Sequence, residues 1–311
     1  MNDAVPVFSV SPVTVPAPGR AVDLQLRVSA PVVGGDLPII LLSHGQGRSN
    51  HLSSLNGYAP LASFWAAHGF VVLQPTHLSS KTLSGDSRVD PTGPEGPLFW
   101  QSRALDMTRI LDNLDVLETQ VPEVRGRLDR GRIAVVGHSM GGHTASLLLG
   151  ATHRAPPVSF AEPRIKAGML LAAPGRGDAL SKLAAENYGF FSTIDFSTMA
   201  TPALVVAGDK DASTHLTVAG PSWHADPYFL SQGKKSLLTL FGGEHCLGGI
   251  SGYDVAETTD ESPERVTAVQ HLTWAYLRSA LYPGDAAWAT ACAALTAAPT
   301  PPGRVEEKGY Q

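Results

Sequence analysis

Residues 132–150 read RIAVVGHSMGGHTASLLLG, and the rest of the chain is organised around that stretch. A β-branched apolar run, Ile133 to Val136, leads into Gly137-His138-Ser139-Met140-Gly141. A stretch of helical character follows through Ala145, Leu147, Leu148 and Leu149. G-x-S-x-G between a strand and a helix is the pattern of a nucleophile elbow, a sharp turn with serine at its apex. Glycine two residues either side of the serine suits a turn where a Cβ would strike the neighbouring strand or helix. The turn would lift the Ser139 hydroxyl clear of the sheet and set it at a helix N-terminus, where N–H groups and the helix dipole favour negative charge.

Outward from the elbow, strands alternate with helices. Towards the N-terminus the chain reads as proline-broken strands at 7–15 and 22–28, then a continuous apolar run, Pro38 to Ser43, like a strand buried on both faces. A helical patch near Tyr58–His68 precedes another buried strand, Phe70–Gln74. Residues 75–97 are rich in Ser, Gly, Pro and Asp and read as a long loop. Leu105, Ile110, Leu111, Leu114 and Leu117 form a helical stripe within 99–118. Beyond the elbow come strands at 167–173, 202–208 and 236–241, a helix at 263–282 and an Ala-rich helix at 286–298. Residues 299–311 read as a loose tail. This order predicts an α/β fold: a mostly parallel central sheet with an antiparallel N-terminal edge and helices on both faces. No linker divides two cores, so residues 1–298 are expected as a single domain. Residues 175–200, with Phe190, Phe191 and Phe196, read either as a small cap or as an ordinary crossover helix.

A serine hydroxyl needs a general base, usually histidine, and a carboxylate to orient it. In a parallel sheet such groups sit in the loops after strands, and with this elbow the chain order is Ser, acid, His. Gly208-Asp209-Lys210-Asp211 follows one strand and Gly242-Gly243-Glu244-His245 the next. His245 is the expected base. Asp211, placed to reach across a loop, is favoured as the acid over Asp209, whose side chain suits fixing the turn. The oxyanion donors are expected to be the backbone N–H groups of Met140 and Gln46, the latter between Gly45 and Gly47 after the 38–43 strand. His44 is expected to brace that loop. Trp100 and Trp223 are the aromatic candidates for a substrate pocket. The other histidines show no spacing for a zinc site, no Cys pairs support one, and no Gly-rich phosphate cradle follows a strand. No metal or cofactor is expected.

Composition limits the partners. The chain has 311 residues, 43% hydrophobic and 16% charged, with a formal net charge of −5, which offers no basic surface for nucleic acid or anionic lipid. No apolar run approaches the ~20 residues of a membrane span. The first twenty residues lack a basic n-region and a continuous apolar h-region, so the cytoplasm is the expected location, or secretion if a leader has been trimmed. Cys246 and Cys292 cannot build a disulfide framework and are expected as reduced thiols.

With Ser139, Asp211 and His245 in that order, the chain resembles the α/β-hydrolase superfamily from about Leu37 to Leu281. Within it the chain is most similar to dienelactone-hydrolase-related esterases: platelet-activating-factor acetylhydrolase-like, chlorophyllase-like and cutinase-type enzymes. Ser43-His44-Gly45, Gly69-Phe70-Val71-Val72 and Gly137-His138-Ser139-Met140-Gly141-Gly142 carry the likeness. Dienelactone hydrolases proper have cysteine at the elbow, where this chain has Ser139. The resemblance implies hydrolysis of a small-molecule or lipid-like carboxylic ester through an acyl-enzyme. The competing expectations are an acyltransferase, perhydrolase or amidase on the same triad, and a non-catalytic binder of a hydrophobic small molecule.

Overall fold

Alternation along the apolar strands decides which side of the sheet each residue faces. In the computed structural model, which describes residues 3–310 except 94, 97, 156, 253 and 254, the elements follow in this order. They are β1 (Val7–Val15), β2 (Leu24–Pro31), β3 (Leu37–Ser43), α1 (Ala59–Ala67), β4 (Val71–Pro75), α2 (Trp100–Asp112), α3 (Leu114–Gln120) and β5 (Leu128–His138). After them come α4 (Met140–Leu148), β6 (Thr152–Arg154), β7 (Pro157–Ser159), β8 (Ile165–Leu171), α5 (Lys182–Asn187), β9 (Ile194–Asp195) and β10 (Ala203–Gly208). The chain closes with α6 (Asp226–Leu230), β11 (Lys235–Leu240), α7 (Pro263–Leu281), α8 (Ala287–Ala297) and β12 (Gly303–Lys308).

Nine strands form one sheet in the order β1-β2-β4-β3-β5-β8-β10-β11-β12. From β4 to β11 every pairing is parallel, while β1/β2 and β2/β4 make the antiparallel N-terminal edge. Ile39, Leu41, Ile133, Val135 and Val205 face one core, which takes its helical side chains from α2, α3 and α4. Ile40, Leu42, Ala134, Val136, Leu204 and Val206 face a second core, lined by α1, α7 and α8. Both faces of the central strands are therefore dry, which is why they read as continuous apolar runs. This is the α/β-hydrolase architecture.

Two boundaries differ from the sequence reading. The single helix expected over 99–118 is two, α2 and α3, broken at Asn113. The Asn113 amide donates to the Arg109 carbonyl at 2.8 Å, taking the acceptor its own N–H would use in a continuous helix. The tail is not loose: β12 pairs antiparallel with β11 along Lys235–Leu240, covering a strand edge that would otherwise be open. Its Val305 packs against the second core; Gln311 lies outside the described residues. Past the end of β4 at Pro75, the loop to residue 97, of which 94 and 97 are not described, includes a short 3₁₀ turn at Lys81–Leu83. Residues 175–200 cross from β8 to β10 through α5 and β9, and β9 joins β6 and β7 in a separate three-stranded sheet. Among the described residues, no helix is long and apolar enough to cross a membrane.

Candidate active site

The parallel strands β3, β5, β10 and β11 all end on one side of the sheet, and their following loops meet there. β5 runs to His138, Ser139 takes φ 52° and ψ −120°, and α4 starts at Met140. That backbone is one an L side chain rarely adopts, and the neighbours enforce it. A Cβ on Gly137 would sit 1.8 Å from the Gly141 carbonyl oxygen, and one on Gly141 would sit 2.0 Å from the Ser43 carbonyl oxygen. The two glycines thus let the start of α4 close on both β5 and the end of β3.

Ser139, His245 and Asp211 form one hydrogen-bonded series. His245 Nε2 lies 2.8 Å from Ser139 Oγ, and His245 Nδ1 lies 2.8 Å from Asp211 Oδ2. The carboxylate only accepts, so Nδ1 carries the proton and Nε2 is left to accept from the serine hydroxyl. Asp211 is 2% exposed and accepts from Ser213 Oγ at 2.6 Å. His224 approaches the same Oδ2 at 3.1 Å, off the line of a good hydrogen bond, while its Nδ1–H donates to the Ala173 carbonyl at 2.9 Å. Burial pushes the Asp211 carboxyl up, but the closely placed imidazoles of His224 and His245 outweigh it and hold the group well below the usual carboxylate range. Asp209 is used differently: its Oδ1 accepts from Gly242 N–H at 2.7 Å and ties the β10 and β11 loops together. Asp260 Oδ2 accepts from Glu244 and Gly248 N–H, each at 2.8 Å, bracing the loop that carries His245 from both sides.

The loop after β3 runs beside this series. Gly45 N–H donates to Tyr58 Oη at 2.9 Å and Gly47 N–H to Ser53 Oγ at 2.6 Å. Between them, the Gln46 N–H meets no acceptor among the described residues, and neither does the Met140 N–H at the start of α4. His44 donates from Nδ1 to the Gly45 carbonyl at 2.7 Å and accepts the His77 N–H on Nε2 at 3.3 Å. Burial, with Arg103 and His77 nearby, holds its imidazole neutral. Arg103 is fully buried and donates to the His44 carbonyl, to Ser79 Oγ and to Thr144 Oγ1. Desolvation pulls its guanidinium down to about 9, which leaves it charged at neutral pH.

A cavity of about 760 Å³ opens over Ser139. Leu52, Leu98, Pro174, Tyr188, Phe191 and Leu216 supply its apolar wall, with Arg48, Lys210, Glu244 and Glu257 among its polar groups. Gln46 and Met140 also line it. Tyr188 and Phe191 come from the 175–200 crossover, which therefore covers one side of the cavity. Trp100 and Trp223 are not on the wall. Trp100 stacks on Phe190 with ring centroids 5.6 Å apart, and the fully buried Trp223 donates its indole N–H to the Arg176 carbonyl at 2.9 Å. Tryptophan's bulk is better buried with its N–H satisfied, and the crossover aromatics took the wall. Cys246 and Cys292 are free thiols. Burial pushes the Cys246 thiol up to about 11, so it stays protonated beside His245.

Sequence reasoning passed over His138, His224, Tyr58, Arg103 and Ser213. His138 alone carried a signal, its place next to Ser139 inside the elbow. Tyr58, Arg103 and His224 reach the site from distant segments, and nothing in their local pattern marks them. Asp211, His224 and His245 also have donor atoms close enough to share a cation, but they are the groups that order the serine.

Sheet order, elbow and strand-end loops together define the α/β-hydrolase fold. Residues 7–161, about half of the chain, match the family model described as Chlorophyllase, a family that points to an ester hydrolase. The match includes the β3 loop and the elbow but ends before Asp211 and His245. No curated protein matches the chain.

Proposed function

We propose that this chain is a serine hydrolase that cleaves carboxylic esters through an acyl-enzyme, with Ser139, His245 and Asp211 as its triad. The observation that carries the reading is the Ser139–His245–Asp211 series opening on the cavity. His245 Nε2 takes the hydroxyl proton as Ser139 Oγ bonds to the ester carbonyl carbon. The carbonyl π electrons move to oxygen, where the Met140 and Gln46 N–H groups receive the negative charge; losing one such donor costs about 3–4 kcal/mol of barrier. Asp211 steadies the imidazolium. As the tetrahedral intermediate collapses, the C–O bond to the alcohol breaks and His245 returns the proton to the leaving oxygen. Water, deprotonated by the same nitrogen, then releases the acid and restores Ser139.

The cavity favours a neutral, partly apolar ester. Its volume falls within the ~300–1,000 Å³ of small-molecule sites. Arg48 and Lys210 share the lining with Glu244, Glu257 and the Asp211 carboxylate, so no excess of cations draws an anionic substrate. The test is initial rates on p-nitrophenyl esters from acetate to palmitate, wild type beside Ser139→Ala. Turnover is expected from the wild type and lost in the variant. A folded wild type that cleaves no ester, or a variant that still does, would overturn the reading.

A further inference from the structure

We propose that Arg103, Tyr58 and His138 form one directional hydrogen-bond chain that holds the Gln46 loop and the His245 loop in a common register. The three are positioning residues for the ester-hydrolase reading given above. The chain starts at Arg103, whose guanidinium donates to the His44 carbonyl. Across that peptide, Gly45 N–H donates to Tyr58 Oη at 2.9 Å, and Tyr58 Oη lies 2.9 Å from His138 Nδ1. His138 Nε2 lies 2.8 Å from the carbonyl oxygen of His245. One end is a peptide away from the Gln46 N–H; the other is the backbone of the residue that deprotonates the serine.

The Tyr58 hydroxyl has two acceptors to choose between; every other link has a forced direction. Carbonyl oxygens only accept and backbone N–H groups only donate. His138 must therefore carry its proton on Nε2, and its Nδ1 must receive one. The group in reach is the Tyr58 hydroxyl, whose other neighbour, the Leu52 carbonyl, is farther at 3.2 Å. Separately, burial pushes the His138 imidazole down to about 3, so it is neutral and has one proton to place. Arg103, Tyr58 and His138 are all fully buried. With a charged donor at its head and its three side chains buried, every dipole of the chain points the same way, and each bond strengthens the next. Tyr58 also sits at φ 64°, unfavourable for an aromatic residue, at the start of α1. That strain is held where its hydroxyl bridges the two loops.

The experiment compares Tyr58→Phe, His138→Leu, His138→Gln and the Tyr58→Phe/His138→Leu double variant. Active serines are titrated with a fluorophosphonate, and kcat and KM are read on the best p-nitrophenyl ester. Glutamine can accept on its oxygen and donate from its nitrogen, as His138 does. Tyr58→Phe and His138→Leu are each expected to lower kcat about 10- to 100-fold per titrated site with KM within about threefold. The double variant should be no slower than the worse single, because one chain breaks only once. His138→Gln should recover most of the loss. Multiplying effects, kcat near wild type in both singles, or no recovery with glutamine would overturn the proposal. The His138 tautomer, read by ¹⁵N NMR on the folded wild type, needs no turnover. A proton on Nε2 is expected, and a proton on Nδ1 would overturn the chain whatever the variants do. Absence of both ester cleavage and Ser139 labelling would instead sink the hydrolase reading, leaving the tautomer to decide the chain.

Discussion

Removing the Ser139 side chain in two ways separates backbone strain from chemistry. Ser139→Ala and Ser139→Gly both delete the 2.8 Å contact with His245 and should both be inactive. They differ in that alanine keeps a Cβ at φ 52°, ψ −120° and glycine does not. Holding a side chain in such a conformation costs about 1–3 kcal/mol. Glycine's extra freedom in the unfolded chain costs about 0.5–1 kcal/mol in return. Ser139→Gly is therefore expected to be the more stable variant by about 1 kcal/mol, the reverse of the usual order. The unfolding entropy of a chain this long is about 0.65 kcal/mol per kelvin, so the difference in Tm is only about 1.5 °C. Urea titration with a shared m-value measures it better. If Ser139→Gly proves less stable than Ser139→Ala by about 0.5–1 kcal/mol, the elbow stores no strain and the argument is wrong.

Three more expectations follow from the same geometry. Asp211→Asn should fold but lower kcat about 10³–10⁴-fold, because the amide no longer favours the His245 tautomer with a bare Nε2; steady-state kinetics with less than a tenfold loss would contradict this. His44, His77, His138 and His143 are all held below their ordinary value, first by burial. The unfolded chain therefore binds more protons below about pH 6.5, and stability should fall on acidification by up to about 1.4 kcal/mol per pH unit per histidine. Asp106 and Asp226, both raised by burial, work in the opposite sense but are two groups against four. Urea midpoints unchanged between pH 7.5 and 5.5 would refute that balance. Deleting residues 299–311 bares β11 as an open edge and removes the Glu307 acceptor of the Trp288 indole N–H at 2.7 Å. A loss of about 2–4 kcal/mol and concentration-dependent association are expected by urea titration and size-exclusion chromatography, and a monomer of wild-type stability would count against it.

What could be read locally was read correctly where a single physical rule acted alone. β3 and β5 announce themselves as apolar runs because both faces are covered, and β1 as an alternating strand because it lies at an edge. Where two rules competed, the local reading failed. The stripe from Leu105 to Leu117 satisfied helical periodicity, yet the Asn113 side chain captured a backbone carbonyl and ended α2. Gly303–Lys308, mostly polar and next to prolines, has no strand signature of its own; β11 recruits it because an unpaired edge needs a partner.

The site divides along the same line. Local sequence determined the elbow, the loop after β3 and the loops after β10 and β11, because strand ends in a parallel sheet are where reacting groups can stand. The sequence favoured Asp211 over Asp209 as the acid, and the tertiary structure sets Asp211 against His245 while Asp209 binds the Gly242 N–H. It also placed Tyr188 and Phe191, rather than Trp100 and Trp223, on the cavity wall. Tyr58, Arg103 and His138 became one chain only when α1, α2 and β5 packed together. A motif of five residues reports the backbone it needs, since sterics act between near neighbours. Partnership between buried polar groups depends on which distant segments the core brings together, and no local pattern records that.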